Sequence, residues 1–389
     1  MIAVRSAGLA ALLVGAVAVA PPLGVPRVTV VTPGAPFASV GSTDGKYIFV
    51  SVSGSKRVGV ATYRASGAEI SQVGFVPIAA TGAFGMALSP DGTSLLVADG
   101  DGVAIVDVAA AEAGTAQIPL QVSDGRGSGA IEVAVTSDSR YAFVSDEERA
   151  SVSVLRLVRR PGGRFDGVLV NAVRVDQLPV GLAISTGDHF LYVTSEVEGL
   201  RASHAGDSNP DLARSACRNG PQGLVVSNGT ITTIDVARAE AGTSESVVSR
   251  VAAGCAPVRV ALTPDGATAW VSVRGDDSVF AFDTQRLHTN PEHAFKGAVA
   301  VGSAPVGLAL IDGGAFLAVA DSDRFGVGAP STLHVIALSG KPAVVSIVPV
   351  GVFPRELSTS ADGSTLRLTN FGSSQLMLFD VKRLTQAPL

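Results

Sequence analysis

A short Asp-Gly turn between two apolar runs returns along this chain at a near-constant interval, and that periodicity limits the fold more than any other feature. Asp44, Asp91 and Asp138 stand 47 residues apart, as do Asp265 and Asp312, and Asp362 follows 50 residues after Asp312. A degenerate copy with Gly187 at its turn fills the long interval between Asp138 and Asp265, which also holds an insertion. Typical copies read "FASVGSTDGKYIFVSVSG" from Phe37, "GMALSPDGTSLLVADG" from Gly85 and "RVALTPDGATAWVSVRG" from Arg259. After each hairpin comes a third run, such as "VSVLRL", "TITTIDV" or "LMLFDV", and then a fourth, such as "AQIPL", "NAVRV" or "VVSIVPV". Four strands in a period of roughly 40 to 50 residues is the arithmetic of a β-propeller blade. The expected fold is all-β, a seven-bladed propeller of four-stranded blades.

Closure of the ring is testable on the sequence. The last unit stops after its third run, at Val381, while "RVTVV" at 27–31 precedes the first unit as a spare strand. The N-terminal strand is therefore expected to complete the last blade, leaving no open edge between the first and last blades.

Because a propeller is one closed unit, the 389 residues are read as a single domain over 19–389, behind a signal peptide at 1–18. The start, "MIAVRSAGLAALLVGAVAVA", has one basic residue, a short apolar run and small residues at Ala16 and Ala18, which is the grammar of an exported chain. An uncleaved anchor is the alternative. The mature protein is expected to be secreted or periplasmic, monomeric, and without a membrane span. A formal net charge of −5 gives no broad basic field, which argues against nucleic acid as a partner. Export makes a disulfide permissible, and the two cysteines, Cys217 and Cys255, allow one intramolecular pairing. Cys217 falls in an insertion at 197–228 in blade four and Cys255 in the connection entering blade five, so a bridge would tie the insertion down. The same insertion carries His204 and Asp207, which could join a site.

The units "SPDG…VADG", "GLAIS…FLYVTSE" and "PVRVALTPDGATAWVSVRG" resemble the YVTN-type propeller repeat, and the blade length is similar to that of seven-bladed lactonase-like propellers. The resemblance spans essentially the whole mature chain. It implies a propeller fold and leaves function open, because such proteins include surface proteins, binding proteins, hydrolases and cycloisomerases. No lactonase active-site motif carries over to particular residues of this chain.

In a propeller, residues entering the first strand and leaving the second line the mouth of the central channel on the face called the top. On that mapping the mouth collects Asp99, Glu132, Asp146, Glu147 and Glu196 from blades two to four. Blades five to seven add Arg259, Arg274, Asp321, Arg324, Arg355, Glu356 and Asn370. Arginines suit a carboxylate or phosphate, whose geometry the guanidinium fork matches. The ligand-binding candidates are Arg259, Arg274, Arg324, Arg355 and Glu196. Were the protein an enzyme, Glu132 or Glu196 would act as base and Arg274, Arg324 or Arg355 would hold the anion. The acids could also take Ca²⁺; no other cofactor is expected. The simpler reading is that these charges pair across neighbouring blades.

The recurring turn aspartates, Asp44, Asp91, Asp138, Asp265 and Asp362, are read as structural, since Asp in a turn accepts hydrogen bonds from its own backbone. The chain lacks a His-Glu-x-x-His, a Walker loop, a Gly-x-Ser-x-Gly elbow and a Cys-x-x-Cys pair. The leading functional expectation is an exported binding or interaction scaffold whose partner is an anionic small molecule or an extracytoplasmic protein. The alternative is a lactonase-like hydrolase or cycloisomerase acting on an anionic small molecule.

Overall fold

A computed structural model describes residues 27–54, 57–67, 69–161, 163–199, 217 and 227–386. The signal-peptide segment, His204 and Asp207 lie outside the described residues.

Seven separate four-stranded antiparallel sheets follow one another along the chain, each in the order first to fourth strand. The seventh is completed as expected: Arg27–Val31 pairs with Gln375–Asp380, with Val28 opposite Leu378 and Val30 opposite Leu376. The two ends of the described chain thus share one blade, and the ring closes through backbone hydrogen bonds.

Burial follows depth in the blade. Second strands such as Ser94–Ala98 and Thr268–Val273 are buried throughout, because both faces meet neighbouring blades, so they read as continuous apolar or small runs. The fourth strand Phe295–Ala300 instead alternates half-buried with exposed residues. Two sequence expectations need correction. The valines that end "TITTIDV" and "LMLFDV" are not strand: Asp235 and Asp380 end the strands and Val236 and Val381 open short helices, while Asp107, Asp235 and Asp283 each accept the amide of the third residue of the helix that follows. The fourth strand of blade two is Leu120–Ser123, displaced from the expected "AQIPL" because Pro119 offers no N–H to the ladder.

The first turn behaves as read. Ser42 Oγ donates to Asp44 Oδ1 at 2.7 Å, and the Lys46 amide donates to the same oxygen at 3.1 Å. The pattern repeats at Asp91, Asp138, Asp265 and Asp362, each beside a Ser or Thr two residues earlier. Hydrogen bonds from Ser42 and Lys46 hold the Asp44 carboxyl down at about 2. These aspartates build turns.

A second repeated device joins neighbouring blades. Hydroxyls in the second strands donate to a carbonyl at the entry to the next blade: Ser51 to Phe84 at 2.6 Å, Ser145 to Val180 at 2.9 Å, Thr194 to Val258 at 2.7 Å and Ser272 to Val306 at 2.8 Å. Thr369 Oγ1 makes the same bond to the Phe37 carbonyl at 2.7 Å and so latches blade seven to blade one. Each bond fixes the height at which a blade enters the channel.

Candidate functional site

The latched residues define rings around the channel. At one level blades one to six contribute Phe37, Phe84, Ile131, Val180, Val258 and Val306, which pack into one apolar cluster. Counting back from the turn in blade seven, the same repeat position holds Arg355. Six blades therefore plug the channel with apolar side chains and the seventh brings a guanidinium.

The next residue in each blade forms a second ring: Ala38, Gly85, Glu132, Gly181, Arg259, Gly307 and Glu356. Four positions carry little or no side chain, and the other three carry charge. A Cβ at Gly85 would collide with the Glu132 carboxylate, so the small residues are what make room for the charges. Arg259 Nη2 lies 3.2 Å from Glu132 Oε2 and 3.6 Å from Glu356 Oε2. Burial raises Glu132, opposed by Arg259, while burial and the neighbouring Glu132 charge push Glu356 up to about 8. Both carboxyl groups around the one guanidinium are thus pushed towards their protonated forms by burial, against the pull of Arg259.

A third ring stands where the second strands end, and here the period of two decides which residues face the mouth. Glu147, Glu196 and Arg274 share one repeat position and join the site. Arg274 pairs with Glu196 across blades four and five. Burial and the Glu196 charge push Glu147 up to about 7.

Asp99, Asp146, Asp321 and Asn370 occupy the preceding position, and the expectation that they line the mouth is corrected for the three aspartates. Asp99 accepts from the Asp101 amide and Gln121, and Asp146 accepts from Ser153 at 2.7 Å and Ser151 at 3.1 Å. His334 Nδ1 lies 2.6 Å from Asp321, which also accepts from Thr332 at 2.9 Å. These partners belong to the same blade, on its outer side. Burial lifts Asp146 to about 8, reinforced by Asp124 beside it.

Arg355 sits above the triad. Its guanidinium carbon is 4.6 Å from the centre of the Phe37 ring and 5.5 Å from that of Phe353, while Arg324 lies 5.7 Å from Phe353 on the exposed rim. Neither Arg355 nor Arg324 makes an ion pair with a carboxylate among the described residues, unlike Arg259 and Arg274. Burial and the charges of Arg259, Arg274 and Arg324 pull Arg355 down to about 9. Stacking on aromatic faces holds the fork in place without consuming its hydrogen-bond donors. Phe37 and Phe353 were not legible as site residues from local motifs; comparison of the same repeat position across blades is the signal that finds Phe37.

Cys217 and Cys255 form a disulfide, with Cα atoms 5.5 Å apart. Cys255 ends the fourth strand of blade four, Val247–Cys255, one element earlier than the connection where it was expected. Ala256 and Phe325 pack against the bridge. Among the described residues, no group of three or more His, Cys, Asp or Glu is placed to hold a metal ion, and no helix is long and apolar enough to cross a membrane.

The class of protein defined by this architecture is the seven-bladed β-propeller with a charged central channel. Comparison with solved structures agrees. The chain is similar to a structure titled Kuenenia stuttgartiensis hydrazine synthase, with a TM-score of 0.62, 17% identity, and coverage of 90% of this chain and 96% of that one. It is similar to a chain in the crystal structure of the mitotic checkpoint complex, with a TM-score of 0.65, 14% identity and 98% coverage of both. It is also similar to the β-propeller domain of Cps50 (Swd1) from Myceliophteria thermophila, with a TM-score of 0.62, 10% identity, and coverage of 92% and 100%. At these identities the likeness concerns the fold. No protein-family model matches the sequence, and no curated protein does.

Proposed function

We propose that this chain is an exported, monomeric propeller of YVTN type that serves as a binding scaffold, receiving an anionic group of its partner at the top mouth of the channel. The observation that carries this reading is the contrast among the four arginines. Arg259 and Arg274 are neutralised by carboxylates, whereas Arg355 and Arg324 flank the Phe353 ring and make no ion pair among the described residues. A ligand carboxylate could take both charges. The disulfide supports export, since such bonds persist in oxidising compartments. Two of the structurally similar proteins belong, by their titles, to a checkpoint complex and to a propeller domain, which fits a scaffold role.

The test is a thermal-shift screen of sugar acids, lactones, phosphates and Ca²⁺ on the purified mature protein, because binding to the folded state raises apparent stability. A sugar acid should shift the wild type and not Arg355→Ala. Equal shifts in both proteins would contradict the assignment.

A lactonase-like activity is the second reading, favoured by Glu147, whose carboxyl is raised to about 7 and stands among Arg274 and Arg355. A group titrating there suits proton transfer. Glu132 and Glu196 suit it less, each being held by an arginine. Lactone hydrolysis abolished by Glu147→Gln would support this reading; absence of turnover over a lactone panel would remove it.

A further inference from the structure

The other end of the channel, on the face of the Asp-Gly turns, holds a recess of about 500 Å³ whose lining includes Val40, Gly41, Leu88, Leu310, Ser358 and Arg367. Arg367 breaks the repeat. At its position in the second strand the other blades place Phe49, Leu96, Phe143, Tyr192, Trp270 and Ala318, all buried core residues. Arg367 is itself only 5% exposed.

The environment of Arg367 satisfies part of its fork and leaves its charge unpaired. Nε donates to Ser358 Oγ at 3.0 Å and Nη2 donates to the Thr359 carbonyl. Nη1 makes no hydrogen bond among the described residues, and a Cβ at Gly41 would come within 2.5 Å of it. Among the described residues, no carboxylate lies within ion-pair distance of Arg367. Asp362, whose charge opposes the effect of burial on Arg367, is already committed to Ser360 and Ser364. A residue that served only to pack would be apolar here, as in the other blades, because a buried unpaired charge is costly.

We propose that this recess binds a small aliphatic carboxylate, its oxygens on the Nη1 and Nη2 edge of Arg367 and its body against Val40, Leu88 and Leu310. One guanidinium edge matches one carboxylate in both charge and geometry. The apolar walls favour an aliphatic body, and a phosphate dianion would lack the second cation it needs. The site uses none of the residues of the top mouth.

The experiment is calorimetric titration of the full mature chain with isovalerate, with inorganic phosphate as the comparison anion. Wild type should bind isovalerate saturably and more tightly than phosphate. Arg367→Leu, which copies Leu96 of blade two, should weaken isovalerate at least about tenfold, the loss expected for a charge-assisted pair. Leu88→Phe, which fills the recess and leaves Arg367 in place, should weaken it as well, with circular dichroism confirming both folds. The proposal is overturned by wild-type affinity in either variant, by equal affinity for phosphate, or by no saturable binding of isovalerate to wild type.

Discussion

Arg355 stacks on Phe37, its guanidinium carbon 4.6 Å from the ring centre, and the two residues occupy the same repeat position in blades seven and one. They are brought together by closure of the ring. Six blades use this position to plug the channel, and the seventh uses the plug as a platform for a cation. The departure from the repeat, more than the repeat itself, marks the site.

The buried triad makes Arg259 hard to replace. Arg259→Met would leave Glu132 and Glu356 without their cation, and breaking a buried pair from one side typically costs about 3–5 kcal/mol. Glu132→Gln and Glu356→Gln should cost much less, since burial already pushes both carboxyl groups towards the protonated form that glutamine mimics. Urea unfolding midpoints of the three variants check the order.

Thr369 should matter through its hydroxyl alone. Thr369→Val preserves shape but removes the latch to the Phe37 carbonyl and the bond accepted from the Glu356 amide at 3.1 Å. Leaving buried polar groups unsatisfied costs about 1–3 kcal/mol. Equilibrium unfolding should show that loss, and Thr369→Ser should recover most of it.

Stability should fall as pH rises across the neutral range. Glu356 and Asp146 are raised to about 8, Glu147 to about 7 and Asp99 to about 6, chiefly by burial. Between the unfolded carboxyl value of about 4 and these folded values, the native state holds protons that the unfolded chain has released. Their contribution is complete below about pH 4 and is lost as pH climbs through about 6 to 8. Asp44, Asp91 and Asp362, lowered to about 2, act in the opposite sense and lose their contribution as pH falls from about 4 towards 2. Melting temperatures should therefore be higher at pH 5 than at pH 8, and Asp146→Asn should flatten that slope. A profile that is flat or rising over this range would contradict these environments.

The disulfide spans 38 residues of sequence, and closing a loop of that length is worth about 4 kcal/mol in the chain-entropy description. Reduction, or Cys217→Ser with Cys255→Ser, should lower the thermal midpoint, and an unchanged midpoint would contradict this contribution.

What the sequence made legible was set by periodicity and by short range. The turn aspartates are local, so Asp44 and its counterparts could be assigned from their neighbours. The closing strand at 27–31 followed from counting. Asp99, Asp146 and Asp321 were misplaced because a one-residue shift along a strand reverses the face, and only the ends of the second strands show which residue looks inward. Val236 and Val381 read as strand because "IDV" and "FDV" alternate like one, whereas each valine opens a short helix. Arg274 and Glu196 were identified as mouth residues, but their pairing depends on blade packing that no motif records. Arg367 lies inside the run "TLRLT", whose alternation reads as ordinary strand, although its charge at a core position of the repeat is visible in the sequence.

Arg355→Phe separates a binding role for Arg355 from a role in the fold. The variant restores the side chain that blades one and two carry at that position and removes a half-buried charge that pairs with no carboxylate among the described residues, so the fold should keep or gain stability. Unfolding and sugar-acid binding should be measured on the same preparation. Unchanged or increased stability together with loss of the anion response is expected. Decreased stability with the anion response intact would contradict it.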